Sequence, residues 1–266
     1  MKYKHIKTKI LLNKVLTKDT LFCGNYTIDP YQNCEFGCKY CDSSLDKTIY
    51  IKSNAAEILN YELETTKKGR IIVGSVHDPY QKVEGEQKIT RRLLEIIKDH
   101  GFSCHILTKS NLVLRDIDII SKIPDCLITL SIISLKESIY NLFEKNVCNT
   151  KIRLETIEKL NISGIKSGIA IIPILPFIVE EEFENIIKSS KNHKAKYLLH
   201  KHLELKGDQK TCFFDIIKKI DIDLPKKYDE LYGDSFMPND DYLTFQSKTI
   251  SNLCEKYKIK NMIKLN

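Results

Sequence analysis

The chain has 266 residues, of which 42% are hydrophobic and 29% are charged, and its formal net charge is +7. These values are ordinary for a soluble protein with one large domain, or one domain with a tail, and no stretch is long and apolar enough to span a membrane. The N-terminal residues lack the apolar region of a signal peptide. Nine cysteines without an export signal argue against a disulfide framework and indicate a reducing compartment. We therefore expect a cytoplasmic protein.

Short β-branched apolar runs alternate with longer amphipathic runs along the chain. The runs that predict strands span residues 26–28, 70–76, 103–108, 127–132, 167–174 and 196–200. The runs with helical periodicity span residues 55–67, 88–100, 112–123, 151–161 and 180–190. Asn54 is placed to cap the first helix, and Gly101 and Gly164 follow the second and the fourth. Strand–helix repetition of this kind predicts an α/β fold with a parallel sheet and right-handed crossovers, although six units are too few for a closed eight-stranded barrel.

The strand–helix units lie within residues 25–206, which we predict to form the core of the fold. Residues 1–24 are predicted to be an N-terminal extension. Residues 207–266 have a different character, because prolines and glycines interrupt shorter helical segments, and they predict a C-terminal helical extension with a final helix at residues 248–258. In parallel α/β folds ligands bind beyond the carboxyl ends of the strands, so the loops at those ends should hold the site.

Three closely spaced cysteines, Cys34, Cys38 and Cys41, follow the first predicted strand. Thiolates suit soft metals, and four of them normally complete a cubane iron–sulfur cluster, so three would leave one iron open to a substrate or cofactor. Gly37 is expected to let the loop turn tightly. The alternatives are a zinc site or three buried cysteines, but zinc usually needs four ligands and no second Cys/His pair completes the set.

Polar residues also follow other predicted strands. His77 lies in the turn after the second strand, where it either transfers protons or is a structural histidine. Lys109 follows the third strand, where a lysine can neutralise a carboxylate in a dry pocket, with a surface lysine as the alternative. Ser131 ends the fourth strand. Arg153 begins a predicted helix, where it either reaches a bound cofactor or is a solvated arginine, and we expect the second.

The arrangement C-x3-C-x-aromatic-C, with Tyr40 before the third cysteine, resembles the signature of radical S-adenosylmethionine (radical SAM) enzymes. Further short sequence motifs in this chain resemble those of the superfamily branch related to spore photoproduct lyase, which is also labelled DNA repair photolyase-like. They are the runs at residues 29–34, 52–55, 78–81, 90–95 and 108–110. The resemblance covers roughly residues 26–202. It implies the superfamily's open, partial (β/α)6 TIM-like barrel, which matches the six predicted units.

The resemblance also implies the cofactors and the chemistry. Cys34, Cys38 and Cys41 would hold one [4Fe–4S] cluster, and the amino and carboxylate groups of SAM would bind its fourth iron. One electron, from a reductant such as flavodoxin or ferredoxin, would cleave SAM to methionine and a 5′-deoxyadenosyl radical that abstracts a hydrogen from the substrate. The chemistry belongs to the cofactors, whereas the protein orients them and excludes water.

The resemblance assigns roles to individual residues as well. Tyr40 would lie near the adenine of SAM, and the turn that contains Asp78 would take the place of the family's Gly-Gly-Glu element, which meets the SAM amino group. Lys109 and Ser131 would form hydrogen bonds with the SAM carboxylate or ribose. His77, in the same turn as Asp78, is our candidate catalytic residue.

Two departures limit what the resemblance implies about the substrate. Asp42 follows the third cysteine, where spore photoproduct lyase has a tyrosine thought to relay the radical, and the loop after the second strand lacks that enzyme's hydrogen-donating cysteine. We therefore expect a substrate other than a thymine dimer.

Nucleic acid is the first candidate substrate by family analogy, with weak support from lysine-rich stretches at residues 2–18 and 188–206, which otherwise form solvated faces. The alternatives are radical modification of a peptide or small metabolite, and a non-catalytic iron–sulfur protein that binds nucleic acid or senses redox state. The sequence does not indicate an oligomeric state.

Overall fold

The structure is a computed structural model that describes residues 1–263, with the exception of the Ser44 side chain. Its strands are β1 (Lys2–Ile6), β2 (Asn13–Lys14), β3 (Tyr26–Ile28), β4 (Tyr31–Gln32), β5 (Thr48–Lys52), β6 (Arg70–Val73), β7 (Ser103–Thr108), β8 (Leu127–Ser131), β9 (Lys166–Ile174), β10 (Tyr197–His202) and β11 (Lys260–Asn261). Its α-helices are α1 (Ala55–Thr65), α2 (Glu84–Gln87), α3 (Ile89–Asp99), α4 (Ile117–Ile120), α5 (Glu137–Phe143), α6 (Thr150–Ile162), α7 (Phe183–Asn192), α8 (Gly207–Ile217), α9 (Leu224–Tyr232) and α10 (Asp240–Lys256). Short 3₁₀ helices lie at Asp42–Ser44, Asn111–Asp116 and Glu180–Glu182.

The main sheet has eight strands in the order β11-β10-β9-β8-β7-β6-β3-β2. Neighbouring strands from β3 to β11 are parallel, whereas β2 pairs antiparallel with β3. The strands β3, β6, β7, β8, β9 and β10 follow one another across the sheet in chain order, with helices in the connections. This arrangement confirms the partial (β/α)6 TIM-like barrel and places the carboxyl ends of six strands at one rim.

The barrel strands are nearly continuous apolar runs because both of their faces are covered. All four residues of β6 are buried, and in β8 only the last residue is partly exposed. Parallel sheets with helices packed on them produce this pattern. Gly168 in β9 is required by close packing, since a Cβ atom there would lie 2.4 Å from the carbonyl oxygen of Tyr197.

Two helices end as the glycine positions predict. Gly101 follows α3 with φ +64°, its N–H donates to the carbonyl of Lys98 (2.9 Å), and the N–H of Phe102 donates to Ile97 (3.0 Å). This is a Schellman motif, in which glycine takes the left-handed conformation at no steric cost. Gly164 ends α6 in the same way, with φ +80°.

Asn54 does not cap α1 as the sequence predicts, because its side chain binds elsewhere. Its amide oxygen accepts from the Thr8 N–H and its amide nitrogen donates to the Thr8 carbonyl, both at 2.9 Å. The helix predicted at residues 112–123 is also wrong in detail, since the chain forms the 3₁₀ helix and then the short helix α4. At the junction of these two elements, the buried carboxylate of Asp116 lies 2.9 Å from Arg91 of α3.

A second, three-stranded sheet with the order β1-β5-β4 was not predicted. In it β1 is parallel to β5, and β4 is antiparallel to β5. The residues of β1 are almost all exposed and include two lysines and a histidine, so they lack the apolar alternation that indicates a strand. The pairing with β5 therefore comes from tertiary contact rather than from a local pattern.

The region after residue 206 contains α8, α9 and α10, and the last of these helices begins at Asp240, earlier than predicted. Strand β11 then adds to the barrel sheet beside β10. The division into residues 1–24, 25–206 and 207–266 stays a prediction, and residues 264–266 lie outside the described residues. In residues 1–263, none of the helices has the length and hydrophobicity that crossing a bilayer requires.

The buried His105 predicts how stability depends on pH. Its side chain is 0% exposed, Nδ1 lies 3.0 Å from the Phe22 carbonyl, and Nε2 lies 2.7 Å from the Thr129 hydroxyl. Burial lowers the pKa of His105 from 6.5 to about 4. The unfolded chain therefore binds the proton more tightly, so the stability that the neutral ring supports is complete above pH ~6.5 and is lost as the pH falls toward ~4.

Because the unfolded chain binds a proton at His105 more tightly, we expect the free energy of unfolding of the wild type to be lower at pH 5 than at pH 7, by about 2 kcal/mol from this residue. His105→Gln cannot be protonated, so it should lack this part of the pH dependence. Urea unfolding of both proteins at several pH values measures the difference. Equal slopes in the wild type and the variant would contradict the prediction.

Candidate functional site

One cavity at the carboxyl ends of the barrel strands collects most of the predicted site residues. Its volume is about 320 Å³, which is in the range of small-molecule sites. The predicted residues that line it are Cys34, Cys38, Tyr40, Cys41, Asp78, Lys109 and Ser131. These side chains lie in the loops that follow β4, β6 and β7 and at the end of β8, so they meet at one rim, as the fold requires.

The cysteine loop, defined as residues 33–43, turns sharply between β4 and β5. Asn33 and Gly37 both have positive φ, at 68° and 64°, which confirms the expectation of a tight turn at Gly37. The N–H of Cys34 donates to the carbonyl of Ser43 at 3.0 Å, so the two ends of the loop are joined. The loop thereby brings all three cysteines to one cavity, with a single short 3₁₀ helix at its end.

Glu35 anchors the cysteine loop from inside the protein. Its carboxylate is buried and accepts hydrogen bonds from the hydroxyl of Tyr3 (2.6 Å) and the N–H of Val83 (2.7 Å). Its own N–H donates to the side-chain oxygen of Gln81 at 2.9 Å. The loop is therefore fixed to β1 and to the segment before α2.

The three thiols fit an iron–sulfur cluster. Cys34 and Cys38 are 8% and 6% exposed. Burial raises the pKa of Cys34 to about 12 and also raises that of Cys38, so the free thiols hold their protons until a metal replaces them. Among residues 1–263, no three His, Cys, Asp or Glu side chains converge closely enough to bind a single metal ion. A cubane does not require such convergence, because its thiolates bind separate iron atoms.

Lys109 places a positive charge beside these thiols. Its Nζ lies 5.9 Å from the centre of the Tyr40 ring, and within the described part of the chain it has no carboxylate within ion-pair distance. Burial by itself lowers the pKa of Lys109, but the neighbouring acidic groups of Cys38, Glu144 and Asp78 outweigh burial and raise the pKa. A cation without a carboxylate partner at a cavity suits thiolates or the carboxylate of a bound cofactor.

Asp78 joins the loops that follow β6 and β7. Its carboxylate accepts hydrogen bonds from the Thr108 hydroxyl and from the N–H of Lys109, both at 2.7 Å. Burial raises the pKa of Asp78, although these hydrogen bonds act in the opposite direction. Gly74 lets the first loop leave the strand, since its φ is +84° and a Cβ atom would lie 2.3 Å from Pro79. The carboxylate therefore positions Lys109 as well as lining the cavity.

His77 is the predicted site residue that the structure does not bring to the cavity wall, since its neighbours Ser75 and Val76 line the cavity instead. Its N–H donates to the carboxylate of Asp29 at 3.0 Å, and Nδ1 of the ring lies 4.0 Å from the same oxygen. Burial lowers the pKa of His77, which favours the neutral ring. A catalytic role for His77 stays a prediction.

The expectation that Arg153 is solvated is wrong. Its side chain is 0% exposed, and its Nη2 lies 2.7 Å from the carboxylate of Glu144, which is also buried. Glu144 in turn accepts a hydrogen bond from the hydroxyl of Tyr40. Neither residue carries a local signal, because Glu144 follows an ordinary amphipathic helix and Arg153 lies in the first turn of the next.

The end of β10 and the residues after it complete the cavity wall, a position that sequence reasoning did not assign to them. Gln209, at the start of α8, lines the cavity and donates its amide to the carbonyl of Tyr40. Lys201 and Lys206 also line it, and both contact Glu204, at 2.5 Å and 3.3 Å. The rule that ligands bind at the carboxyl ends of parallel strands applies to these residues, because they follow the sixth predicted strand. The sequence therefore contained the information needed to include them in the site.

A family model described as the radical SAM superfamily matches residues 28–189 of this chain. That span is more than half of the 266 residues, so the chain belongs to the radical SAM superfamily. Members bind SAM and an iron–sulfur cluster, and the family defines the chain as an enzyme of this general class.

Similar proteins of known sequence are uncharacterised. One from Methanocaldococcus jannaschii is 28% identical over 185 residues, which cover 66% of this chain and 70% of the relative. One from Mycobacterium tuberculosis is 23% identical over 279 residues, which cover 97% and 81%.

Solved structures support the fold. Spore photoproduct lyase complexed with dinucleoside spore photoproduct has a TM-score of 0.73 and 16% identity, covering 97% of this chain and 80% of that chain. SuiB of Streptococcus suis bound to S-adenosylmethionine has a TM-score of 0.62 and 11% identity, covering 90% and 50%. The chain therefore has the fold of the spore photoproduct lyase-like branch that the sequence predicts.

Replacing Cys38 with alanine should prevent assembly of the cluster, because it removes a buried ligand. We expect about four iron and four sulfide per chain in the reconstituted wild type and less than about half of that in Cys38→Ala. Cys212→Ala is the matched control, since Cys212 is exposed and does not line the cavity. Anaerobic iron and sulfide analysis measures the result, and full iron content in Cys38→Ala would contradict the assignment.

Proposed function

We propose that this protein is a radical SAM enzyme in which Cys34, Cys38 and Cys41 hold one [4Fe–4S] cluster and the adjoining cavity binds SAM. The observation that carries the proposal is that the three cysteines and Lys109 line the same cavity. When bound, the reduced cluster would supply one electron to SAM, and cleavage of a carbon–sulfur bond would give methionine and a 5′-deoxyadenosyl radical for hydrogen abstraction from a substrate.

The residues of the chain bind and orient the cofactor in this proposal. Lys109 binds the carboxylate of SAM, because its ammonium has no carboxylate partner among residues 1–263. Tyr40 presents its ring beside the third cysteine, and Ser131 offers a hydroxyl at the end of β8. Asp78 holds the Lys109 backbone in place and keeps acceptor capacity for the amino group of SAM.

Apolar side chains form much of the cavity wall. The apolar residues that line it include Phe22, Phe36, Leu107, Ile172 and Leu203. A low local dielectric strengthens the attraction between Lys109 and a carboxylate, and it protects a reactive intermediate from water.

A nucleic acid is the substrate class that we propose first. The net charge of the chain is +7. At the cavity, the two positive charges of Lys201 and Lys206 face the single negative charge of Glu204. The fold is also that of spore photoproduct lyase, whose structure is known with a dinucleoside spore photoproduct. A peptide is the alternative, since SuiB, with a TM-score of 0.57, is known bound to the precursor peptide SuiA.

The proposal includes a reductant and a location. One-electron reduction of the cluster needs an external donor such as flavodoxin or ferredoxin. We expect the protein in the cytoplasm, because an oxygen-sensitive cluster requires a reducing compartment.

The reconstituted wild type should release 5′-deoxyadenosine from SAM when dithionite is present, because the cavity holds both the thiols and the cation for SAM. Chromatography of anaerobic reactions with and without dithionite measures the product. If the reconstituted protein holds its cluster but does not cleave SAM, it is a non-catalytic iron–sulfur protein, and the proposal is wrong.

Replacing Lys201 and Lys206 with alanine should weaken nucleic-acid binding, because phosphate contacts release counterions and depend steeply on salt. We expect the slope of log affinity against log salt to fall by about 1 to 2 in Lys201→Ala/Lys206→Ala. Lys122→Ala/Lys226→Ala is the matched control, because neither lysine lines the cavity.

Fluorescence anisotropy with single-stranded DNA, duplex DNA and RNA from about 50 to 200 mM salt measures these slopes. No salt-dependent binding by the wild type would remove nucleic acid as the substrate class. An equal loss in both double variants would remove the assignment to the cavity lysines.

A further inference from the structure

A continuous chain of polar contacts joins the cysteine loop to the end of β8. The hydroxyl of Tyr40 donates to the carboxylate of Glu144, and Nη2 of Arg153 lies 2.7 Å from that carboxylate. Nη1 of Arg153 then donates to the carbonyl of Ser131 at 2.7 Å. Tyr40 and Ser131 line the cavity, whereas Glu144 and Arg153 are not among its lining residues.

The same arginine also reaches the strand end that carries Lys109. Its Nε donates to the carbonyl of Cys148 at 2.9 Å, and the thiol of Cys148 donates to the carbonyl of Lys109 at 3.1 Å. The pair of Glu144 and Arg153 is therefore connected to three of the residues to which we assign SAM binding. These contacts lead from one buried ion pair, which does not line the cavity, to Tyr40, Ser131 and Lys109.

Stability alone does not account for this pair. Glu144 and Arg153 are 1% and 0% exposed, so both charges are removed from water. Buried ion pairs are often no more stabilising than apolar residues of similar volume, because the desolvation of two charges offsets their attraction. What apolar residues cannot supply is the planar fork of arginine, which here reaches a carboxylate and two carbonyl oxygens at once.

The contacts of Tyr40 show what the pair controls. Its carbonyl accepts from the amide of Gln209, and the preceding N–H, of Lys39, donates to the carbonyl of Phe143 at 2.9 Å. The backbone is thus held independently, and Glu144 adds a hydrogen bond to the hydroxyl of the ring, which also packs against Phe143. The Nζ of Lys109 lies 5.9 Å from the centre of that ring, so its orientation also shapes the surroundings of the cation.

We propose that Glu144 and Arg153 are positioning residues for SAM, which hold the Tyr40 ring, the end of β8 and the Lys109 backbone at the separation that the cofactor needs. The inference rests on the proposed function, because it concerns the same cavity. Neither side chain touches the cofactor. Their effect passes through Tyr40, Ser131 and Lys109.

Two variants test the proposal at different points of the chain of contacts. Tyr40→Phe keeps the ring and the ion pair and removes only the hydroxyl that Glu144 binds. Glu144→Leu/Arg153→Met removes both charges together, so that neither is left buried without its partner. Tyr228→Phe is the matched control, because it removes another buried tyrosine hydroxyl, which donates to the Pro176 carbonyl at 2.6 Å away from the cavity wall.

Each protein is reconstituted anaerobically and compared by iron content, thermal unfolding and equilibrium binding of SAM. The change in the electron paramagnetic resonance spectrum of the reduced cluster on adding SAM is also measured. We expect both test variants to keep their iron and fold, to bind SAM about tenfold more weakly, and to show a smaller spectral change. Tyr228→Phe should bind SAM as the wild type does.

Wild-type affinity and spectra in Tyr40→Phe and in the double variant would overturn the positioning role and leave the proposed function intact. Loss of iron in the folded variants would also overturn it, since the pair would then support the cluster rather than SAM. A wild type that holds its cluster but binds no SAM would overturn the proposed function together with this inference.

Discussion

The position of the cysteine loop depends on hydrogen bonds between buried carboxylates and groups in or around the loop. Glu35 is bonded by Tyr3 and Val83, and Glu144 is bonded by Tyr40. The loop has almost no regular structure, so backbone pairing within a sheet or helix cannot hold it. A donor left buried without its acceptor costs about 1–3 kcal/mol, which makes these contacts effective anchors.

A second group of buried charges holds the segment before the cysteine loop and the segment after the turn at Asp78. The hydroxyl of Tyr31, just before the cysteine loop, donates to Glu84, and the hydroxyl of Tyr80, just after the turn at Asp78, donates to Asp116 at 3.0 Å. Arg115 lies between the two carboxylates, 2.6 Å from Glu84 and 2.8 Å from Asp116. Removing one partner from such a network leaves a buried charge uncompensated, at a cost of about 3–5 kcal/mol. The segments around Tyr31 and Tyr80 are therefore held by paired buried charges in addition to strand pairing.

These anchors explain where sequence reasoning succeeded and where it failed. The six barrel strands were predicted because a parallel sheet covered on both faces leaves continuous apolar runs in the sequence. Strand β1 was missed because its exposed, lysine-rich residues form a strand only by pairing with β5. Arg153 was misjudged because burial of an arginine depends on a partner nine residues earlier, across a loop, and no periodicity reports that contact.

By itself the sequence determined the class of fold and the three cysteines, because both follow from local patterns. It also determined the rim at which Lys109 and Ser131 would meet the cysteines, because parallel strands end at the same edge of a sheet. Only the tertiary structure decided that Glu144 and Arg153 lie behind that rim, that His77 turns toward Asp29, and that residues 201–209 close the cavity. The physical reason is that a buried charge needs a counter-charge brought from elsewhere in the chain, and such a partner is defined by packing and not by spacing.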